Sequence, residues 1–414
     1  MTQVQLLGQR AKQAKKTLAT ASTELKNKAL ENLAQELAAA TSEILSANAE
    51  DMKNARANGV AQVMLDRLLL TEDRIVGMAK GITDIVKLPD PIGVTLSEIK
   101  RPNGMTVKKI TVPLGVIAVI YEARPNVTSD AAALCLKSGN AVILRGGKEA
   151  INSSKAIVKA LRLGLEKTGL DENCISLVTD TSRDSATELM RMNEYIDVLI
   201  PRGGAGLIRS CVENSTVPVI ETGTGNCHIY IDKDADIQMA VDIVYNAKTS
   251  RPSVCNSAES LVIHKDIIKE ALPVIKKRLD EKNVELRGDD TARASADGIL
   301  PATEDDWGRE YLDYIMSVKT VGSLDEAIEH ISKYSTGHSE CIVTENEAAA
   351  EEFLKRIDSA AVYHNVSTRF TDGGEFGFGA EIGISTQKLH ARGPLGLPQL
   401  TSFKYIICGN GQIR

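Results

Sequence analysis

The sequence predicts an α/β protein of two doubly wound, Rossmann-like domains, with a polar hairpin and a terminal strand set apart from both. Three observations carry that expectation. Short apolar runs alternate with stretches of helical period from about residue 113 onward. The alternation begins afresh near residue 230. Two polar, alternating stretches flank Asn103-Gly104, the strongest short-range hairpin signal.

Taken in order, about ninety residues at the start are helix-rich. "TELKNKALENLAQELAAATSEILSANAEDMKNARANG" repeats apolar residues at helical spacing, with Gly59 as a plausible stop. The hairpin "LSEIKRPNGMTVKKITV" is too polar for a core and suits a flap or an arm that pairs with another subunit. "GVIAVIYE" and "AVILRGG" read as buried strands around the helix "SDAAALCLKSG". The helix "SSKAIVKALRLGLEKTG", strand "ISLVTD", helix "RDSATELMRM" and strand "DVLIP" follow. A glycine turn, "RGGAG", opens the helix "LIRSCVENS", and "VPVIETG" reads as the next strand. Parallel βαβ units and a doubly wound sheet are the expectation. From "HIYIDKDADIQMAVDIVYNAK" a second α/β series runs through "SLVIH", "DIIKEALPVIKKRLDEK", "VELRG", "ECIVTEN", "EAAAEEFLKRIDS" and "AAVYHNVS". "LTSFKYIICGNGQ" is an isolated strand that returns to the hairpin or to a partner.

Composition narrows the class. With 43% hydrophobic and 25% charged residues over 414 positions, the chain suits a soluble protein of two ordinary domains. No apolar run approaches a membrane span, and the start lacks the apolar stretch of a secretory signal. Seven widely spaced cysteines argue against a disulfide framework or a zinc cluster and suit a reducing cytoplasm. A formal charge of −6, with Lys and Arg dispersed, gives no nucleic-acid footprint.

Several segments have the residue types that chemistry needs. Cys135, Cys174 and Cys211 sit within helical or strand patterns and read as core. Cys255, in "SRPSVCNSAESLVIH", lies on a loop beside Arg251, where a thiolate is stabilised; a buried structural thiol is the competing reading. The Gly203–Gly206 turn precedes a helix, as a phosphate site does, and a tight βα turn explains it equally well. Arg145 and Lys148 follow a strand where a 2′-phosphate calls for a basic group, or are solvated charges at a strand end. Asn126 follows a buried strand and presents a neutral donor suited to an oxyanion, or caps a turn. Glu221 ends "VPVIE" as a general base or a loop partner. His338 and His390 lie in glycine-rich loops without metal-ligand spacing, so no metal site is indicated.

In chain order these pieces resemble the aldehyde dehydrogenase superfamily. The likeness tightens on one branch at "DEAIEHISKYSTGHSE", "VSTRFTDGGEFGFGAEIGISTQKLHARGP" and the Cys255 stretch, and it covers essentially the whole chain. The resemblance implies NADPH-dependent reduction of L-glutamyl 5-phosphate to L-glutamate 5-semialdehyde and phosphate, in proline biosynthesis. It places Cys255 on the nucleophile, Asn126 on the oxyanion amide, and Arg145 and Lys148 on the stretch meeting the adenosine ribose. It places Gly203, Gly204 and Gly206 near the pyrophosphate and Glu310 on the nicotinamide ribose. Glu221 falls on the superfamily's water-activating base, a task that acyl phosphate reduction does not need.

The implied organisation is a dinucleotide-binding domain over 1–94 and 113–229, a catalytic domain over 230–397, and oligomerisation elements at 95–112 and 398–414. The cleft between the domains would be the active site. Arg124, Arg251, Arg369 and Arg392 are candidates for holding the phosphate or the substrate carboxylate. Implied partners are the substrate, further copies of the chain and the upstream glutamate 5-kinase. A hydrolytic NAD(P)-dependent aldehyde dehydrogenase, with Glu221 activating water, is the alternative within the fold. A cysteine hydrolase or acyltransferase without nicotinamide is the alternative outside it.

Overall fold

Capping chemistry sets the start of the chain. The structure, a computed structural model, describes residues 1–414 apart from the side chain of Val63. Thr2 and Gln5 form a reciprocal capping box at the start of α1 (Gln3–Leu18). Ser22 caps α2 (Thr23–Ala39), and the single turn residue Ala40 separates it from α3 (Thr41–Ala57). The long helical period is thus two helices. α4 (Gln62–Leu68) and α5 (Glu72–Lys87), the latter capped by Thr71, complete the group.

β1 (Thr95–Lys100) and β2 (Thr106–Pro113) form the expected hairpin. Its turn is wider than a two-residue loop: the Arg101 amide donates to the Met105 carbonyl, and Gly104 alone takes the left-handed conformation, at φ 91°. The first doubly wound sheet follows with β3 (Val116–Tyr121), α6 (Pro125–Lys137), β4 (Ala141–Arg145), α7 (Ile151–Glu166), β5 (Ile175–Leu177), α8 (Arg183–Met190), β6 (Val198–Arg202) and α9 (Ala205–Asn214). Strand order is β5-β4-β3-β6, all parallel. Every residue of β3 is buried, because helices cover both faces. Val116, Ala118 and Ile120 pack against Val4, Leu7 and Ala11 of α1.

"VPVIETG" does not form the expected strand; it makes one bridge, Val219 to Leu199. Pro218 has no N–H to give, and the Thr216 and Val217 amides go instead to the Met190 carbonyl.

The second series contains β7 (Cys227–Ile231), α10 (Ile237–Thr249), β8 (Ala258–His264), α11 (Ile268–Asp280), β9 (Glu285–Gly288), α12 (Asp290–Ser295), β10 (Leu300–Pro301), α13 (Glu304–Trp307), β11 (Ile315–Val321), α14 (Leu324–Tyr334), β12 (Ser339–Val343), α15 (Glu347–Arg356) and β13 (Ala361–His364). They build a seven-stranded parallel sheet of order β10-β9-β11-β8-β7-β12-β13. Ile229 and Ile231 of β7 meet α10 and α11 on one face. Tyr230 meets Ile328 and Ile331 of α14 and Phe353 of α15 on the other. A short antiparallel pair, β14 (Ile384–Ser385) with β15 (Gly393–Pro394), precedes the tail strand β16 (Thr401–Cys408). β16 returns to the hairpin, pairing antiparallel with β2 from Thr401↔Pro113 to Cys408↔Thr106.

The chain divides into two compact units. The first contains Met1–Thr222, Gly377–Gly383 and Leu395–Arg414; the second contains Gly223–Phe376 and Ile384–Pro394. No helix among the described residues is long and apolar enough to cross a membrane.

Candidate active site

The second unit carries Cys255 at the amino ends of its strands. α10 ends at Thr249 because Pro252 lies just past its Ser250 cap. The chain then crosses to β8 through a turn that leaves Cys255 half-buried. That turn is held from several sides. The Ser257 amide donates to the Val254 carbonyl and its hydroxyl to the Ala247 carbonyl, each at 3.1 Å. Asn256 Nδ2 donates to the carbonyls of Arg369 (3.2 Å) and Thr371 (3.0 Å), and its Oδ1 accepts from the Arg369 guanidinium. Arg369 Nε also donates to Ser250 Oγ at 3.0 Å. Burial and the neighbouring Arg251 cation push Arg369 below the ordinary arginine value, and Cys255 acts in the opposite sense. Two cations thus share the surroundings of Cys255, a setting that favours a thiolate.

The main chain of Cys255 is gripped from the approach to β7. Cys227 Sγ donates to the Cys255 carbonyl oxygen at 3.1 Å. A Cβ built on Gly225 would stand 1.4 Å from that same oxygen, so only glycine fits there. The Gly225 amide in turn donates to Glu310 Oε1 at 2.7 Å. Arg392 donates to the Asp358 carboxylate (2.8 Å) and carbonyl (2.6 Å). No group of three or more His, Cys, Asp or Glu among the described residues is disposed to hold a metal.

The candidate residues of the first unit gather at the carboxyl ends of β3, β4 and β6. Strand order reverses between β3 and β6, the place where open α/β sheets bind ligands. Pro125 starts α6, so Asn126 sits exposed in its first turn. Its Nδ2 donates to Asp130 Oδ2 at 3.0 Å. Burial pushes Asp130 up to about 6, against the hydrogen bonds from Asn126 and Ser129 and the charge of Arg202. An ionised carboxylate only accepts, so the bond fixes which end of the Asn126 amide is NH₂. Arg124 is the residue just before the helix. Glu221 is half-buried beyond the Val219 bridge.

Arg145 and Lys148 separate in role. Arg145 Nη2 donates to the carbonyls of Thr181 and Ser182, both at 2.8 Å, and burial lowers its pKa. Lys148 is exposed at the strand end. The Gly203-Gly204 turn is pinned by Glu122, whose Oε2 accepts from the Gly204 amide at 2.8 Å. A Cβ on Gly203 would meet that oxygen at 2.6 Å, while one on Gly206 would meet nothing within 4 Å. Bare main chain at a helix start and an exposed lysine are groups that suit a dinucleotide.

Sequence reading missed Glu122, Asp130 and Cys227. Glu122 had a signal, being the first charge after a wholly apolar strand that ends at a switch point. Asp130 lies four residues after Asn126 in a helix, a spacing that brings side chains together. Cys227 had none, since its link to Cys255 exists only through strand pairing.

Residues 1–296 match the aldehyde dehydrogenase family. A relative from Clostridium beijerinckii named gamma-glutamyl phosphate reductase is 60% identical over 414 residues, covering 100% of both chains. A relative of the same name from Heliobacterium modesticaldum is 57% identical, covering 100% of this chain and 99% of its own. The crystal structure of gamma-glutamyl phosphate reductase from Thermotoga maritima matches with a TM-score of 0.97 at 48% identity, covering 100% of both chains. An acetylating aldehyde dehydrogenase from Geobacillus thermoglucosidasius, 18% identical with a TM-score of 0.71 over 100% of this chain and 97% of its own, shares the fold.

Proposed function

The chain belongs to the aldehyde dehydrogenase family, and on that premise we propose that it reduces L-glutamyl 5-phosphate to L-glutamate 5-semialdehyde and phosphate with NADPH, as a step of proline biosynthesis. The setting of Cys255 carries the reading: a half-buried thiol on a braced turn, beside Arg251 and Arg369. The names of the full-length relatives support the substrate.

Cys255 Sγ attacks the acyl carbon, and the bond to the phosphate oxygen breaks to leave a thioester. Arg251 and Arg369 hold the departing phosphate. The Asn126 amide and a backbone N–H near Cys255 stabilise the oxyanion of each tetrahedral step. The nicotinamide, when bound, supplies hydride to the thioester carbon. Collapse of the thiohemiacetal then breaks the C–S bond and returns Cys255 as a thiolate. Lys148, Gly203, Gly204, Gly206 and Glu310 would hold the cofactor, with Arg145 bracing the loop that follows β5, and Arg124 and Arg392 would be left for the substrate carboxylate. Glu221 has no base to play, since phosphate rather than water takes the acyl group in reverse. Further copies of the chain pair through the β1-β2-β16 sheet.

Oxidation of glutamate 5-semialdehyde at varied phosphate tests the reading. The native protein should be slow without phosphate and saturable in it. Cys255→Ser should abolish turnover, because a serine hydroxyl stays protonated near neutral pH, while cofactor binding persists. Glu221→Gln should slow the reaction far less. A fast phosphate-independent rate that collapses in Glu221→Gln would assign the hydrolytic chemistry instead.

A further inference from the structure

Beneath the nucleophile turn runs a closed circuit of hydrogen-bonding groups that none of the chemical steps uses. It begins at the Cys255 carbonyl oxygen, which accepts from Cys227 Sγ at 3.1 Å. His338 Nδ1 lies 3.7 Å from that sulfur and 2.7 Å from Ser339 Oγ. Ser339 Oγ is 2.6 Å from Thr371 Oγ1. The Thr371 carbonyl accepts from Asn256 Nδ2 at 3.0 Å, and Asn256 is the next residue after Cys255. Cys227, His338, Ser339 and Thr371 are all fully buried. In such a place a lost partner costs more than at the surface, because water does not replace it.

Within the circuit, Cys227 supplies a side-chain hydrogen bond to the main chain of Cys255. The carbonyl, at 3.1 Å, is the nearer partner of the Cys227 S–H, and His338 Nδ1, at 3.7 Å, is the farther one. Burial and the nearby Glu340 carboxylate raise Cys227 well above the ordinary thiol value, so it remains a donor wherever the enzyme works. The same carbonyl is pressed against Gly225, which Glu310 anchors. The oxygen is therefore located by a contact that prevents approach and a hydrogen bond that prevents retreat.

We propose that Cys227 is a positioning residue for Cys255: its buried thiol holds the Cys255 carbonyl and so sets the direction in which the nucleophilic side chain projects. The proposal rests on Cys255 being the nucleophile. Releasing the carbonyl loosens the Cys255 side of a peptide whose Asn256 side stays held by Arg369 and Thr371, and so shifts Sγ relative to the acyl carbon. Misplacement of a reacting atom by about 1 Å costs on the order of a hundredfold in rate, and a fraction of that shift is expected here.

Cys227→Val fills the volume without a donor, and Cys227→Ser keeps a donor. Steady-state kinetics should show kcat reduced on the order of tenfold in Cys227→Val with KM within about twofold. Cys227→Ser should recover most of the loss. The pH profile of Cys255 alkylation, followed by peptide mass mapping, should show a lower limiting rate in Cys227→Val and a near-native one in Cys227→Ser. Native kcat in Cys227→Val, or equal loss in Cys227→Ser and Cys227→Val, overturns the proposal. If Cys227→Val does not fold, Cys227→Ala against Cys227→Ser decides by the same criteria. Cys255→Ser is assayed beside them. Turnover in that variant overturns the nucleophile reading, whereas an inactive Cys255→Ser with a fully active Cys227→Val overturns only the positioning.

Discussion

Arg145 commits its guanidinium to the main-chain oxygens of Thr181 and Ser182, whereas the Lys148 ammonium is exposed. A 2′-phosphate brought to this strand end would therefore meet Lys148 as its mobile cation. A charge-assisted contact is worth on the order of 1.5–3 kcal/mol, or roughly ten- to hundredfold in affinity. Lys148→Ala should raise KM for NADPH by about that range and leave KM for NADH nearly unchanged. Arg145→Ala should instead lower the melting temperature, since it strands two carbonyls. Equal sensitivity of NADH and NADPH to Lys148→Ala would remove the lysine from cofactor choice. The thiols divide in the same way. Burial raises Cys135, and it raises Cys174 to about 12, Cys211 to about 11 and Cys341 to about 12. Cys408 is exposed on the tail strand. Limited alkylation should thus modify Cys255 and Cys408 rather than Cys255 alone, and bound substrate should protect only the former. Labelling of a buried thiol at a comparable rate would contradict the assignment.

At the level of elements, α10 and β8 flank the Cys255 turn and are tied by Lys248 and Glu259, 2.6 Å apart and both wholly buried. Desolvation lowers Lys248 and raises Glu259 to about 7, so each charge is tolerated only through the other. The Leu312 amide also donates to Glu259, at 3.1 Å, which joins this pair to the entrance of β11. Removing one partner of a buried pair costs about 3–5 kcal/mol, because the survivor is left charged without compensation. Lys248→Met should destabilise the protein by that order in urea unfolding. The double variant Lys248→Met with Glu259→Leu should recover much of the loss. A single variant within about 0.5 kcal/mol of native would show that the pair contributes little.

For the whole molecule, acid should act partly through His330. Burial among His228, Trp307 and Tyr334 lowers its pKa from 6.5 to about 3, with the charges of His228, Lys319 and Lys333 adding to the effect. Between those values the unfolded chain binds a proton that the folded chain refuses, so stability falls as pH falls from about 6.5 towards 3. One such proton contributes a slope of up to about 1.4 kcal/mol per pH unit. Urea midpoints measured across that range should drop less steeply in His330→Phe, and an unchanged slope would assign the acid limb to other groups. Leu96, Ile99, Phe403, Tyr405 and Ile407 are exposed on the β1-β2-β16 sheet. A surface this apolar on a polar hairpin is expected to be covered by another copy of the chain. Tyr405→Asp combined with Ile407→Asp should shift the sedimentation coefficient towards the monomer. A native coefficient in that variant would place the contact elsewhere.

Periodicity is a local property of the chain, so the sequence by itself determined the alternation of strands and helices, the hairpin, and the loop position of Cys255 between α10 and β8. Even there, local pattern overran where a partner decided the outcome: "VPVIETG" was apolar enough for a strand, but Pro218 has no N–H and the Val217 amide goes to the Met190 carbonyl, which leaves a single bridge. Tertiary structure decided everything that depends on strand order. Glu122 and Gly204 are 82 positions apart, and Cys227 and Cys255 are 28 apart, and no spacing rule links either pair. β3 pairs directly with β6, and β7 with β8, which brings the ends of remote segments within hydrogen-bonding distance. Arg145 likewise found its partners at Thr181 and Ser182 because β4 lies beside β5, whose outgoing loop supplies both carbonyls. A residue's type and local period follow from its neighbours in the chain, whereas its partners follow from register and sheet order, which only the packed fold specifies.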